Sequence, residues 1–252
     1  MSALLASFIF FTRLPFWRLG TPPPDAFKRV VTLWPMTGWL TGGVCASVFW
    51  LCCHILPIET SVVLAFTTRA VLTGALHEDG LADCFDGFGG GTGRERILEI
   101  MKDSHIGAFG VIGLILYYLT AVTTVGSIYN VHIICAVILS ADVWSKFCSS
   151  QIINALPYAR NEQTAKNKTV YSRFTSRERI TNLMVSLPAL FVATACPLLL
   201  WAFIAPAVTS AIVILYLRHK IGGYTGDCCG GCFLLSELSY FITTAALIHS
   251  GT

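Results

Sequence analysis

Charge is what this chain has least of. Only 12% of its 252 residues are Asp, Glu, Lys or Arg, about half the roughly 25% of a soluble domain, and the mean hydropathy is +0.67. So few ionic groups cannot cover a water-exposed surface, and the composition points to one all-α domain, residues 1–252, embedded in a bilayer. No basic stripe with interleaved aromatics occurs and the net charge is only +3, so nucleic acid is excluded as a partner. The ten cysteines lack the pattern of a disulfide framework. Cys45, Cys52, Cys53, Cys135 and Cys196 lie inside apolar runs, where they read as small packing residues. Cys229 and Cys232 form a C-x-x-C, but without a second pair or a His at zinc spacing they give little support to a metal site. Residues 1–11 have neither a basic start nor a small-residue cleavage site, and are expected to belong to the mature protein.

What the chain has in abundance is apolar runs of spanning length. They fall at about 36–57, 60–76, 107–128, 131–150, 181–200, 202–217 and 232–249, predicting about seven transmembrane helices. Leu4–Phe11 reads as a short interfacial helix or half-span. Thr21 to Pro24 breaks any helix, and Asp25–Trp34 reads as an amphipathic entry lying on the surface. All but two of the 17 lysines and arginines lie in residues 1–35, 77–106, 151–180 and 218–231. A seven-span layout puts these four segments on one side, and the positive-inside rule makes that side the cytoplasm. The other two, Arg69 and Lys146, sit within spans. Asp142, four residues before Lys146, reads as its neutralising partner.

Residues 77–91, HEDGLADCFDGFGGG, carry the chemistry. The four- and three-residue spacing of Asp79, Asp83 and Asp86 puts all three on one helix face. Carboxylates so close repel one another unless a cation joins them, and acids at membrane depth usually mark a functional site. A hard divalent ion bound through oxygen resolves the conflict, and Mg²⁺ is the expected cofactor. Glu78 falls off this face and ranks lower as a ligand. His77 is a candidate proton acceptor. Gly89 to Gly91 end the acidic helix, and Arg94–Met101 reads as a short amphipathic helix with Ile97, Leu98 and Met101 on one face. Beyond it, Asp103 is expected to face the acidic helix across a hairpin, as a further metal ligand or general base, with Lys102 as a phosphate contact. A second glycine-rich stretch, GGYTGDCCGG at 222–231, adds Asp227 to the candidate metal set. Its Gly222, Gly223, Thr225 and Gly226 offer backbone N–H groups to phosphate oxygens.

These blocks, together with RERILEIMKDSHIGAFG at 94–110 and FTRLP at 11–15, closely resemble the cobalamin synthase family, the adenosylcobinamide-GDP ribazoletransferases, over nearly the whole length. The resemblance implies an Mg²⁺-dependent integral membrane enzyme. It would join α-ribazole or α-ribazole 5′-phosphate to adenosylcobinamide-GDP by attack on the cobinamide-side phosphorus, releasing GMP and giving adenosylcobalamin or its phosphate. Carried over by motif, the acidic positions are Asp79, Asp83, Asp86, Asp103 and Asp227. Two departures are mild: Cys84 stands where a small polar residue is common, and 227–232 is richer in Cys; the 151–180 loop matches the family pattern poorly, and no binding residue is assigned there. Beyond substrates, the implied partners are membrane lipids, with a homo-oligomer or docking beside other corrin-pathway enzymes left open. The spaced aspartates are also similar to those of CDP-alcohol head-group phosphotransferases, an alternative weakened by the missing DGxxAR arginine. A transporter would need an inverted repeat, and the acidic block occurs once.

Overall fold

A computed structural model describes residues 2–160, 170–193 and 199–250. Helix α1 (Ser2–Phe11) and the single turn α2 (Pro24–Phe27) flank the proline run, which separates them as expected. Helix α3 (Trp34–Cys52) has Pro35 in its first turn, where a missing N–H breaks no helical bond. Helices α4 (Ile58–Thr73), α5 (Leu76–Gly90), α6 (Arg94–Ile100) and α7 (Ala108–Gly126) follow. Helix α8 (Val131–Ser150) opens at Asn130, whose side chain accepts from the N–H groups of His132 and Ile133. A turn, α9 (Ile152–Ala155), extends it. Helix α10 (Ser176–Ser186) starts from a reciprocal Thr175/Glu178 capping box. Then come α11 (Pro188–Ala193), α12 (Leu199–Ala202), α13 (Ile204–Lys220) and α14 (Gly226–Ser250). Among the described residues there is no strand, only an isolated bridge between Tyr158 and Tyr224.

The all-α expectation holds, while the count of spans is coarser than seven. Among the described residues, four stretches are long and apolar enough to cross a membrane: Ala108–Gly126, Val131–Ala155, Leu199–Lys220 and Gly226–Ser250. They match four of the expected runs, with α14 starting earlier than predicted. The expected spans at 36–57 and 60–76 are α3 and α4. Helix α4 has only 16 residues, and α3 dilutes its apolar run with Thr and Gly that face α8. The expected span at 181–200 covers the end of α10 and α11, and its residues 194–198 lie outside those described.

Two apolar clusters make the core. One gathers Phe11, Trp34, Leu81, Met101, Tyr224 and Phe233. The other gathers Phe49, Phe66, Val125, Ile138, Phe203 and Tyr240. Between them along α3, α4, α7, α8 and α14 runs a buried ionic layer. Arg69 pairs with Glu237; Tyr117 donates to Glu237 at 2.7 Å and accepts from Arg69 at 2.9 Å. Lys146 pairs with Asp142, as the spacing predicts, and donates to Thr41 at 2.7 Å. Both cations also lie over the Phe233 ring, at 5.0 and 5.6 Å from its centroid. Two cations thus meet two carboxylates in a site where an unpaired charge would be costly.

Candidate active site

Helix α5 is aimed by a break. Helix α4 ends at Gly74 with φ +66°, and Ala75 also takes a left-handed φ of 56°, a conformation rare outside glycine. The chain therefore leaves α4 at an angle instead of continuing as one long rod. Helix α5 then crosses α14 at Gly80, where an added Cβ would lie 2.8 Å from the carbonyl oxygen of Asp227. Only glycine lets the two backbones meet there. The crossing brings the acidic block and the second glycine-rich stretch together.

The three aspartates of the motif share a face but not a fate. Asp79 is exposed, Asp83 half-buried and Asp86 buried. Asp86 accepts the backbone N–H of Gly107 at 2.7 Å and of Gly110 at 2.8 Å. These are orphan donors at the start of α7, so Asp86 caps that helix from outside and meets the positive end of its dipole. Asp79 and Asp83 instead line a cavity of about 220 Å³ between α5, α7 and the 104–106 loop. Glu78, which helical spacing had set aside, lines it too. Its Oε1 accepts from Tyr118 at 3.0 Å, and its buried Oε2 has no hydrogen-bond partner.

A second cavity, of about 110 Å³, lies on the other side of Asp79, which borders both. Asp227 and His77 also line it. The His77 ring is buried among Phe233, Trp34 and Phe11, with centroids at 4.9, 5.5 and 6.2 Å, and its Nε2 is without a partner. Asp227 accepts from the Thr225 hydroxyl at 3.2 Å and lies 3.9 Å from the Arg160 guanidinium. Arg160, buried and also donating to the carbonyl of Leu98 at 3.1 Å, ties the 151–160 segment to this corner. Sequence reading left it out because its loop matched the family pattern poorly.

The remaining candidates sit further out. Asp103 is not the residue that meets the 107–110 turn; Asp86 is. Asp103 is exposed and bonded to His105 at 2.7 Å, a contact that holds its carboxyl below the usual range. Lys102 is exposed on the same loop, and Ser104 is the residue of that loop lining the acidic cavity with Ile106. Gly222 turns the chain with φ +65°. Gly223 packs on Pro157, where a Cβ would lie 2.6 Å from the carbonyl oxygen. Thr225 is buried at the start of α14, accepting from the Cys228 N–H at 3.3 Å, and Gly226 alone of this group borders the second cavity.

Does this set suit a divalent ion? Among the described residues no trio of His, Cys, Asp or Glu is already drawn to bonding distance. The donor chemistry is right nonetheless: Asp79, Asp83 and Glu78 give hard oxygens around one cavity, and the orphaned Glu78 oxygen is a buried polar atom in want of a partner.

Fold and site together define a class: a helical membrane protein with an oxygen-rich pocket between α5 and α7, beside the crossing of α5 and α14. A family model described as cobalamin-5-phosphate synthase matches residues 3–245. The adenosylcobinamide-GDP ribazoletransferase of Shewanella frigidimarina is 32% identical over 248 residues, covering 94% of this chain and 92% of its own. That of Vibrio parahaemolyticus is 33% identical over 260 residues, covering 99% and 94%. The chain belongs to the cobalamin-5-phosphate synthase family. No solved structure matches it.

Proposed function

We propose that the chain transfers the phosphocobinamide group of adenosylcobinamide-GDP to α-ribazole or its 5′-phosphate, the activity its relatives are named for, at the crossing of α5 and α14. What carries the reading is that the family match spans the chain while Asp79, Asp83 and Glu78 share one cavity at its most specific motif.

Such a transfer asks for charge neutralisation and alignment more than covalent help. A ribose hydroxyl oxygen of ribazole forms a bond to the cobinamide-side phosphorus, the bond from that phosphorus to the bridging oxygen breaks, and GMP leaves with that oxygen. Asp79, Asp83 and Glu78 are the groups that would hold Mg²⁺, which when bound neutralises the diphosphate oxygens. Asp86 keeps α5 against the start of α7 and so fixes the direction of the other acids. The hydroxyl proton goes to His77 or Asp103. His77 is favoured by position, since its unpartnered nitrogen borders the cavity shared by Asp79 and Asp227. Asp103 lines neither cavity and is bonded to His105, which leaves it the more distant candidate. Lys102, exposed on the loop that also carries Ser104, and the backbone at Gly226, which borders the second cavity, would steady the departing GMP phosphate. The side bearing the site is the cytoplasmic one, where the lysines and arginines collect.

GMP release from adenosylcobinamide-GDP plus α-ribazole, by purified protein in vesicles, tests this. Asp83→Asn is expected to lose about 100-fold or more, roughly 2.7 kcal/mol of transition-state stabilisation. Undiminished turnover would rule out the acidic cavity as the site, and release of CMP from a CDP-alcohol would favour the head-group reading.

A further inference from the structure

The smaller cavity has a chemistry of its own. Its walls are aromatic: Phe10, Phe11, Trp34 and Tyr171. Phe11 stacks on Trp34 with centroids 5.2 Å apart, and Phe10 meets Tyr171 edge-on at 6.1 Å. Asp79 and Asp227 line it as well. A volume of about 110 Å³ far exceeds the roughly 10–15 Å³ that one water needs. Two residues of the wall, Trp34 and His77, each carry a buried nitrogen without a hydrogen-bond partner, Nε1 and Nε2, and buried polar groups left this way are destabilising unless a ligand meets them.

Resting on the transferase reading above, we infer that this aromatic box seats the benzimidazole base of α-ribazole. The match lies in the balance of polar and apolar surface. A benzimidazole joined to ribose has a flat apolar body and one free ring nitrogen, an acceptor that suits the Trp34 indole N–H. Flat bases stack on aromatic side chains with little regard to their edges. Guanine, the other ring in the reaction, presents two acceptors, O6 and N7, side by side on one edge, and the charged side chains of this wall, Asp79 and Asp227, are acceptors that cannot meet them. Position agrees. Asp79 borders both cavities, so a base in the box puts its ribose at the boundary of the acidic cavity, where the attacking hydroxyl is needed.

The test separates binding from turnover. Calorimetry of α-ribazole with the purified full chain, without nucleotide, is compared with the KM for each substrate in GMP release. Trp34→Phe keeps the ring and removes the N–H; Tyr171→Ala opens a wall on a loop and serves if the first variant fails to fold. Both are expected to weaken α-ribazole binding about ten-fold and to raise its KM likewise, with the KM for adenosylcobinamide-GDP little changed. Unchanged α-ribazole affinity in either folded variant overturns the assignment, as does a rise confined to the KM for adenosylcobinamide-GDP. A wild-type chain that binds α-ribazole through these residues yet releases no GMP would keep the box and sink the transferase reading. One that releases GMP while both variants bind α-ribazole normally would do the reverse.

Discussion

Asp79, Asp83 and Asp86 are chemically alike and differ only in what their neighbours ask of them. Asp79 and Asp83 border the acidic cavity, whereas Asp86 has both oxygens on the backbone N–H groups of Gly107 and Gly110. Asp86→Asn is therefore expected to cost stability first. One charge-assisted hydrogen bond is lost, worth roughly 1.5–3 kcal/mol, so the thermal midpoint falls while divalent-ion affinity changes little; the opposite ranking in a melt and a metal titration would refute the capping role. The spacing of these residues showed in the sequence that they share a face. It could not show the cap, because its donors lie 21 and 24 residues away. Glu78 was hidden for a related reason. One residue off the expected stripe, it still reaches the cavity because the wall is wider than the line through the aspartates, and its anchor, Tyr118, comes from another helix.

At the scale of elements, the crossing of α5 and α14 joins the two motifs, and Gly80 permits it. Gly80→Leu is expected to push the helices apart and abolish GMP release even where the protein still inserts and folds. Activity close to wild type would show that the crossing is looser than described. The same packing sets the Cys84 and Cys228 side chains on the wall of one cavity, and Cys84 Sγ lies 3.2 Å from where a Cβ on Gly231 would stand. Mild oxidation should accordingly give a peptide linking Cys84 to Cys228 by mass spectrometry, a readout that does not depend on turnover. Helix ends were well marked in the sequence: the acidic helix stops at Gly90 and α6 begins at Arg94, as the glycine triplet and amphipathic pattern predict. The break between α4 and α5 was less visible, since Ala75 is an unusual residue for a left-handed turn.

Across the whole molecule, an ionic layer holds five helices together between two apolar clusters. Arg69→Ala would leave Glu237 buried without its cation, a change that typically costs about 3–5 kcal/mol. It should sharply lower the thermal midpoint in detergent, and the double change Arg69→Met with Glu237→Leu should recover much of the loss. No rescue would mean the layer acts through geometry and not through charge balance. Arg69 and Lys146 were legible as intramembrane cations, and Asp142 as the partner of Lys146. Glu237 was not, because it sits 168 residues from Arg69 and no local spacing links them. Among the described residues four of the seven expected spans are matched by length and hydropathy; α3 and α4 are shorter or less apolar, because they trade hydropathy for close packing inside the bundle.

The central claim is that the acids of α5 gather a divalent cation for the diphosphate. Its most direct test is a titration of the full-length protein with Mn²⁺, followed by electron paramagnetic resonance in the presence of GDP. The account predicts stoichiometric binding that weakens at least ten-fold in Asp79→Asn and in Asp83→Asn. Binding of equal strength in both variants and the wild type, or no binding in any of them, would contradict it.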